Sequence, residues 1–303
     1  MNSILEQIGD TPLIRLPDLW GLPPAVSVWL KCEWFNPGGS VKDRAAREIV
    51  LEAEAAGRLS HGATILDASS GNTGIAYAMI AAARGYHLVL CLPRNASAER
   101  QRLLAAYGAE VVLTSPLEGT DGAQREAVRL AAAHPDWVYL NQYDNDANWR
   151  AHFRTTGPEL WDQTNGGITH LVATVGTTGT LTGTARFLRT RVPDLQVIEV
   201  QPDGPLHGLE GVKHLASARV PGIYDPTVAT RRIGVPTEGA FEVVRALARR
   251  GLLLGPSGGA AAWAAIEVAR GLDHGVVVAI APDSGARYLA DAHLWEVPCR
   301  LAS

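Results

Sequence analysis

No run of about 20 apolar residues occurs anywhere in the chain, so no segment matches the length a helix needs to span a bilayer. Cysteine is scarce. Cys32, Cys91 and Cys299 are odd in number and far apart, which excludes a disulfide framework and zinc-ligand spacing. Positive charge is not in excess either: 27 Lys and Arg against 31 Asp and Glu leave a net charge of −4. Such a chain has no basic field with which to capture nucleic acid. The first residues, Met1 to Gln7, lack the basic start and apolar core of a signal peptide, so a cytoplasmic protein is expected. Without that signal, the sequon Asn95-Ala96-Ser97 carries no weight. No Gly-x-Gly-x-x-Gly turn and no Gly-Lys-Ser/Thr phosphate loop is found, so nicotinamide and nucleotide enzymes lose support.

What the chain does have is apolar material, 47% of 303 residues, enough for two modest α/β halves. Strand-like and helix-like segments alternate. Strands are predicted at 28–32, 63–68, 87–92, 110–113, 137–141, 168–175, 196–201, 252–254 and 276–280. Helices are predicted at 41–57, 73–84, 98–107, 120–133, 149–163, 181–190, 238–250 and 259–270. Repeated βα units argue an α/β fold with mostly parallel sheets covered by helices. The polar run 141–148 predicts a boundary, giving halves 1–145 and 146–303. The Gly- and Pro-rich stretch 202–226 is long for a structureless connection, and such loops are often functional.

Four polar turns carry the chemistry. Lys42 lies in Asn36-Pro37-Gly38-Gly39-Ser40-Val41-Lys42-Asp43-Arg44, where Ser40 and Asp43 have capping-box spacing for a helix start. A lysine in a first helical turn faces the positive end of the macrodipole, which disfavours its ammonium form. A neutral lysine is a nucleophile toward an aldehyde. Ser69-Ser70-Gly71-Asn72-Thr73-Gly74 sets hydroxyls, an amide and backbone N–H groups at a helix start, which suits a carboxylate. Gly176-Thr177-Thr178-Gly179-Thr180 follows a strand and opens a helix, a phosphate cradle in chemical terms. Gly255-Pro256-Ser257-Gly258-Gly259 presents a neutral hydroxyl. Its frame fits a nucleophile elbow, but no matching Asp and His can be identified, so an acyl hydrolase is a minor alternative. An activated lysine, a phosphate cradle, a carboxylate turn and a neutral hydroxyl together fit pyridoxal phosphate holding an amino acid.

These four turns, with Ile8-Gly9-Asp10-Thr11-Pro12-Leu13 and Pro282-Asp283-x-Gly285-x-Arg287-Tyr288-Leu289, resemble the cysteine synthases. The resemblance runs from about residue 4 to 290. It implies the tryptophan-synthase-β-like fold: two open twisted sheets flanked by helices, with the cofactor in the cleft between two domains. Residues of about 10–35 would cross to the other domain. It implies that Lys42 binds the cofactor as a Schiff base and later moves the Cα proton. Asn72 would bond the 3′ oxygen, Gly176, Thr177, Thr178, Gly179 and Thr180 the phosphate, and Ser257 the pyridine nitrogen. Ser69, Ser70, Gly71, Asn72, Thr73 and Gln142 would receive the substrate carboxylate. Position 69 is usually threonine in the family.

The implied reaction is β-replacement through an aminoacrylate: cysteine from an O-acetyl- or O-phosphoserine and sulfide, by a homodimer. The Gly-Thr-Thr-Gly-Thr loop and the short stretch after residue 290 are similar to the B-type branch, whose members accept thiosulfate. Lys213 or His214 would then meet an anionic donor. A cystathionine β-synthase or a serine/threonine dehydratase is the alternative within the fold. No haem-binding or regulatory extension is found in this sequence to favour the first, and Pro-Gly-Gly-Ser-Val-Lys-Asp-Arg does not fit the lysine motif of the second.

Overall fold

The alternating apolar runs assemble into two sheets in a computed structural model that describes residues 3–69 and 71–295. Ser70 and Cys299 lie outside the described residues. The chain starts with β1 (Leu13–Arg15) and β2 (Val26–Cys32), then α1 (Lys42–Ala55), β3 (Thr64–Ala68), α2 (Asn72–Arg84) and β4 (His87–Pro93). It continues through α3 (Ala98–Ala106), β5 (Glu110–Thr114), α4 (Gly119–Ala133) and the two-residue β6 (Val138–Tyr139). There follow α5 (Ala147–Arg154), α6 (Thr156–Gln163), β7 (His170–Thr174), α7 (Gly179–Arg189) and β8 (Gln196–Pro202). β9 (Arg231–Val235), α8 (Thr237–Ala248), α9 (Pro256–Arg270) and β10 (Gly275–Ala281) complete the order.

One sheet has strand order β5-β4-β3-β6, the other β1-β2-β10-β7-β8-β9. Every pairing is parallel except β1 with β2. The α/β class with mostly parallel sheets therefore holds. Helices on both faces explain why β4 is buried from Leu88 to Pro93 without alternation. β1 and β2 join β10, so the first strands of the chain belong to the sheet built mostly from its second half.

Three local predictions are corrected. The helix predicted over 149–163 is two helices, α5 and α6, meeting at Thr155. Pro158 has no N–H to continue the first helix and suits the opening turn of the second. The run 252–254 forms no strand and only a single bridge from Leu254 to Ser284. β9 lies in the stretch read as irregular; it is an edge strand whose exposed Arg231 and Arg232 hide the strand signal.

A buried charge cluster fixes α1. The Arg44 guanidinium is fully buried, donating to Glu33 at 2.6 and 2.9 Å and to Glu159 at 2.5 and 2.7 Å. Lys31 Nζ donates to Glu159 at 2.6 Å and to the Thr11 carbonyl at 2.7 Å. Two cations face two carboxylates, so the cluster is neutral, and it joins β2 and α1 to α6.

Candidate active site

The loop from β2 to α1 is shaped around Lys42. Gly39 adopts φ +78°, and a Cβ there would stand 2.5 Å from the Arg287 guanidinium, so glycine is required. Ser40 Oγ accepts from the Lys42 N–H at 3.2 Å. The capping box is only half realised, since the Asp43 carboxylate accepts from Gly38 N rather than from Ser40. Ser40 also bridges to Asp283, which ties the loop to the segment after β10.

The Lys42 side chain lines a cavity of about 140 Å³ and a smaller one of about 40 Å³ that share six of their residues. Its amine has no hydrogen-bond or ion-pair partner among the described residues. Burial pushes its pKa down, opposed by the Asp283 carboxylate, and the position at the N-terminus of α1 acts in the same direction as burial.

The larger cavity brings together Lys42, Ser69, Gly71, Asn72, Thr73, Gln142, Gly176, Thr177 and Lys213, all expected from the sequence. The smaller one adds Thr180 and Ser257. Thr178 and Gly179 line neither. Thr178 is in the left-handed region at φ +73°, a strained setting for a β-branched residue. Its Oγ1 is buried with no partner. Gly179 packs on Asn148, where a Cβ would fall 2.0 Å from Oδ1. One turn on, a Cβ at Gly183 would fall 1.9 Å from the Trp149 carbonyl. α7 thus crosses α5 backbone to backbone, which fixes where its positive end points.

Ser69 Oγ accepts from Gly71 N at 3.2 Å and Gly74 N at 3.0 Å, so its hydroxyl shapes the turn and caps α2. The Gln142 side chain donates to the Ala68 carbonyl at 2.8 Å, and its backbone N–H donates to the Asp67 carboxylate at 3.3 Å. Burial pushes Asp67 up to about 7.

Lys213 is less available than expected. Its amine donates to the Arg219 carbonyl at 3.0 Å, lies 3.5 Å from Asp121 and sits 5.0 Å over the Tyr143 ring. His214, the other basic residue of that stretch, bonds its neighbour Ser217 at 2.8 Å.

Several site residues carried no assigned role in the sequence. Asp283 is buried, and its Oδ2 accepts from Asn72 at 2.7 Å and Tyr288 at 2.6 Å. Burial pushes its pKa up. Arg287 donates to Asn72 Oδ1 and to the Gly38 carbonyl, closing a ring of contacts around the lysine loop. Asp283, Arg287 and Tyr288 belong to a motif that was legible, but nothing local gave them a role. His152 Nε2 lies 3.2 Å from Thr180 Oγ1 and Nδ1 lies 2.9 Å from Thr156 Oγ1. Burial, with Arg44 and Lys42 nearby, pushes its pKa well down, so it is neutral. Arg100 and Glu210 complete the cavity wall.

A family model described as "Pyridoxal-phosphate dependent enzyme" matches residues 4–283. The chain belongs to that family. It is 48% identical over 301 residues to the cysteine synthase of Aquifex aeolicus, covering 96% of this chain and 91% of the relative. It is 40% identical over 291 residues to cysteine synthase B of Salmonella typhimurium, covering 96% and 95%. A solved cysteine synthase from Entamoeba histolytica superposes with a TM-score of 0.93 at 32% identity, covering all of this chain and 93% of the other. The fold is therefore the tryptophan-synthase-β-like one of this family.

The residues present fit the family's cofactor. Thr178 Oγ1 is an orphaned buried group in the cradle. A Cβ at Gly176 would stand 2.6 Å from the Gly211 carbonyl, so the cradle admits only glycine there. The Lys42 amine and the Ser257 hydroxyl both line the cavity without hydrogen-bond partners among the described residues.

Proposed function

We propose that the chain forms L-cysteine from an O-activated L-serine and sulfide with pyridoxal phosphate, and that Lys42 carries the reaction. The supporting observation is the unpaired, burial-depressed Lys42 amine in the wall of a cavity also lined by Gly176 and Thr177 of the cradle and by Ser69, Gly71, Asn72 and Thr73 of the carboxylate turn. Bound there, pyridoxal phosphate supplies an electron sink for negative charge at the substrate's Cα.

The chain's own residues do the rest. Lys42 would hold the cofactor through its amine and would be the group that moves the Cα proton. The Gly176–Thr180 turn, at the positive end of α7, holds the phosphate. Asn72, fixed by Asp283 and Arg287, orients its amide at the cavity. The Ser257 hydroxyl meets the pyridine nitrogen. A hydroxyl there would leave the cofactor a weaker electron sink than a carboxylate partner would, which suits β-elimination chemistry. The turn at 69–74, with Gln142, receives the substrate carboxylate at the N-terminus of α2.

Further parts of the reading are finer. The halves 1–145 and 146–303, with β1 and β2 crossing from the first into the second, act as two domains, with the cofactor between them. The protein works in the cytoplasm as a homodimer, and sedimentation velocity checks the dimer. It uses thiosulfate as well as sulfide, in the manner of B-type enzymes. The deciding experiment is borohydride reduction of the purified protein, peptide mass mapping, and a cysteine assay with O-acetylserine and sulfide. An adduct on any residue other than Lys42, or no cysteine formed, ends this reading.

A further inference from the structure

One ion pair lies in the wall of the cavity. Arg100, in the first turn of α3, donates to the Glu210 carboxylate from the 202–230 loop. The two partners are unlike. The Arg100 side chain is only 10% exposed and its guanidinium lies 5.6 Å over the Tyr288 ring, whereas Glu210 is 44% exposed. Glu210 sits on a tip between the buried anchors Leu209 and Val212, next to Gly211 at φ +80°. The cation is thus set in the wall, and its counter-charge is on a loop.

A cation in so dry a setting needs an anion beside it, because leaving it unpaired is costly. Any anion of suitable size that enters the cavity competes with Glu210 for that place. The guanidinium also lies against the carboxylate turn, with Cζ about 4.0 Å from where a Cβ on Gly71 would stand. Lys213 lines the same cavity but is already bound to the Arg219 carbonyl and Asp121. Of the carboxylates paired with these two cations, Glu210 is the more exposed, at 44% against 38% for Asp121.

We propose that Glu210 is a specificity-determining residue: it holds the anion place beside Arg100, and an activated serine bearing a negatively charged β-substituent must displace it. This rests on the cysteine-forming reading above, since donor preference has meaning only there. Glu210 disfavours a phosphorylated donor relative to a neutral, acetylated one, and Arg100 is the group that receives the phosphoryl oxygens once the glutamate has moved.

The test uses the holoenzyme as wild type, Glu210→Gln and Arg100→Lys. With sulfide as acceptor, kcat/KM is measured for O-phospho-L-serine and O-acetyl-L-serine. Glu210→Gln, on an exposed loop tip, is expected to raise the phospho-to-acetyl ratio about fivefold, the upper end for a partly exposed pair. Arg100→Lys, which loses the planar fork, is expected to lower it. An unchanged ratio, or equal gains for both donors in Glu210→Gln, overturns the proposal. Calorimetric titration of inorganic phosphate into the same holoenzymes gives a second readout. Tighter binding to Glu210→Gln supports the anion place, and unchanged binding refutes it. Failure of the wild type to turn over either donor would sink the cysteine-forming reading, while the phosphate titration would still decide whether Glu210 guards an anion place.

Discussion

Replacing Glu159 with glutamine removes one charge from the cluster that fixes α1 and keeps the side chain's volume. Burial alone would push the Glu159 carboxyl up, but Arg44 and Lys31 outweigh it and hold it at about 2, against an ordinary 4.5. At ~1.4 kcal/mol per pH unit, that difference corresponds to ~3 kcal/mol of stability at neutral pH. Removing one partner of a buried pair costs ~3–5 kcal/mol, the same range. The variant leaves Arg44 and Lys31 facing Glu33 alone. For a chain of this length, ~2 cal/mol/K of unfolding entropy per residue turns ~3 kcal/mol into a Tm fall of about 5 °C. Because the carboxyl is depressed, its contribution is complete above pH 4.5 and is lost as pH falls toward 2; about half is gone by pH 3. Urea unfolding of both proteins at pH 7, 5, 4 and 3 measures this. A difference below ~1 kcal/mol at pH 7, or one that stays constant down to pH 3, would refute the assignment of this cluster as the anchor of α1.

Lys42→Ala is expected to give no borohydride adduct and to lower cysteine formation at least ~100-fold, the low end for a positioned proton carrier. Gly176→Ala places a Cβ 2.6 Å from the Gly211 carbonyl, so the cradle must shift. Its affinity for pyridoxal phosphate, followed by absorbance, should fall at least about tenfold, as expected for ~1–3 kcal/mol of overpacking. Because the reactive form of Lys42 is the free amine and its pKa is lowered, cofactor capture by the apoprotein should continue at pH values where an ordinary lysine is protonated. It should decline as pH falls further; a capture profile matching free lysine would contradict the depressed amine.

Much was legible in sequence because it is local. A glycine-rich turn between a strand and a helix exposes backbone N–H groups wherever it occurs, so 69–74 and 176–180 stand out from sequence as candidate anion sites. Continuous apolar runs such as 87–92 and 276–280 specified strands buried on both faces. Lys42 stood out by its place at a helix start. The break at Thr155 was also written in the chain, in Pro158, but the apolar periodicity continuing across it masked the signal. β9 went unread because an edge strand with two exposed arginines need not alternate.

What only the tertiary structure decided is which distant groups meet. Asp283 lies 241 positions beyond Lys42, Glu210 lies 110 positions beyond Arg100, and Glu159 reaches Arg44 across 115. Periodicity sets which face a side chain takes, but not which element lies opposite. That follows from how parallel strands order themselves in each sheet and how the two sheets pack. The chemistry types were set by the sequence, and their meeting in one cavity, from the fixed cation at Arg100 to the depressed amine at Lys42, was set by the fold.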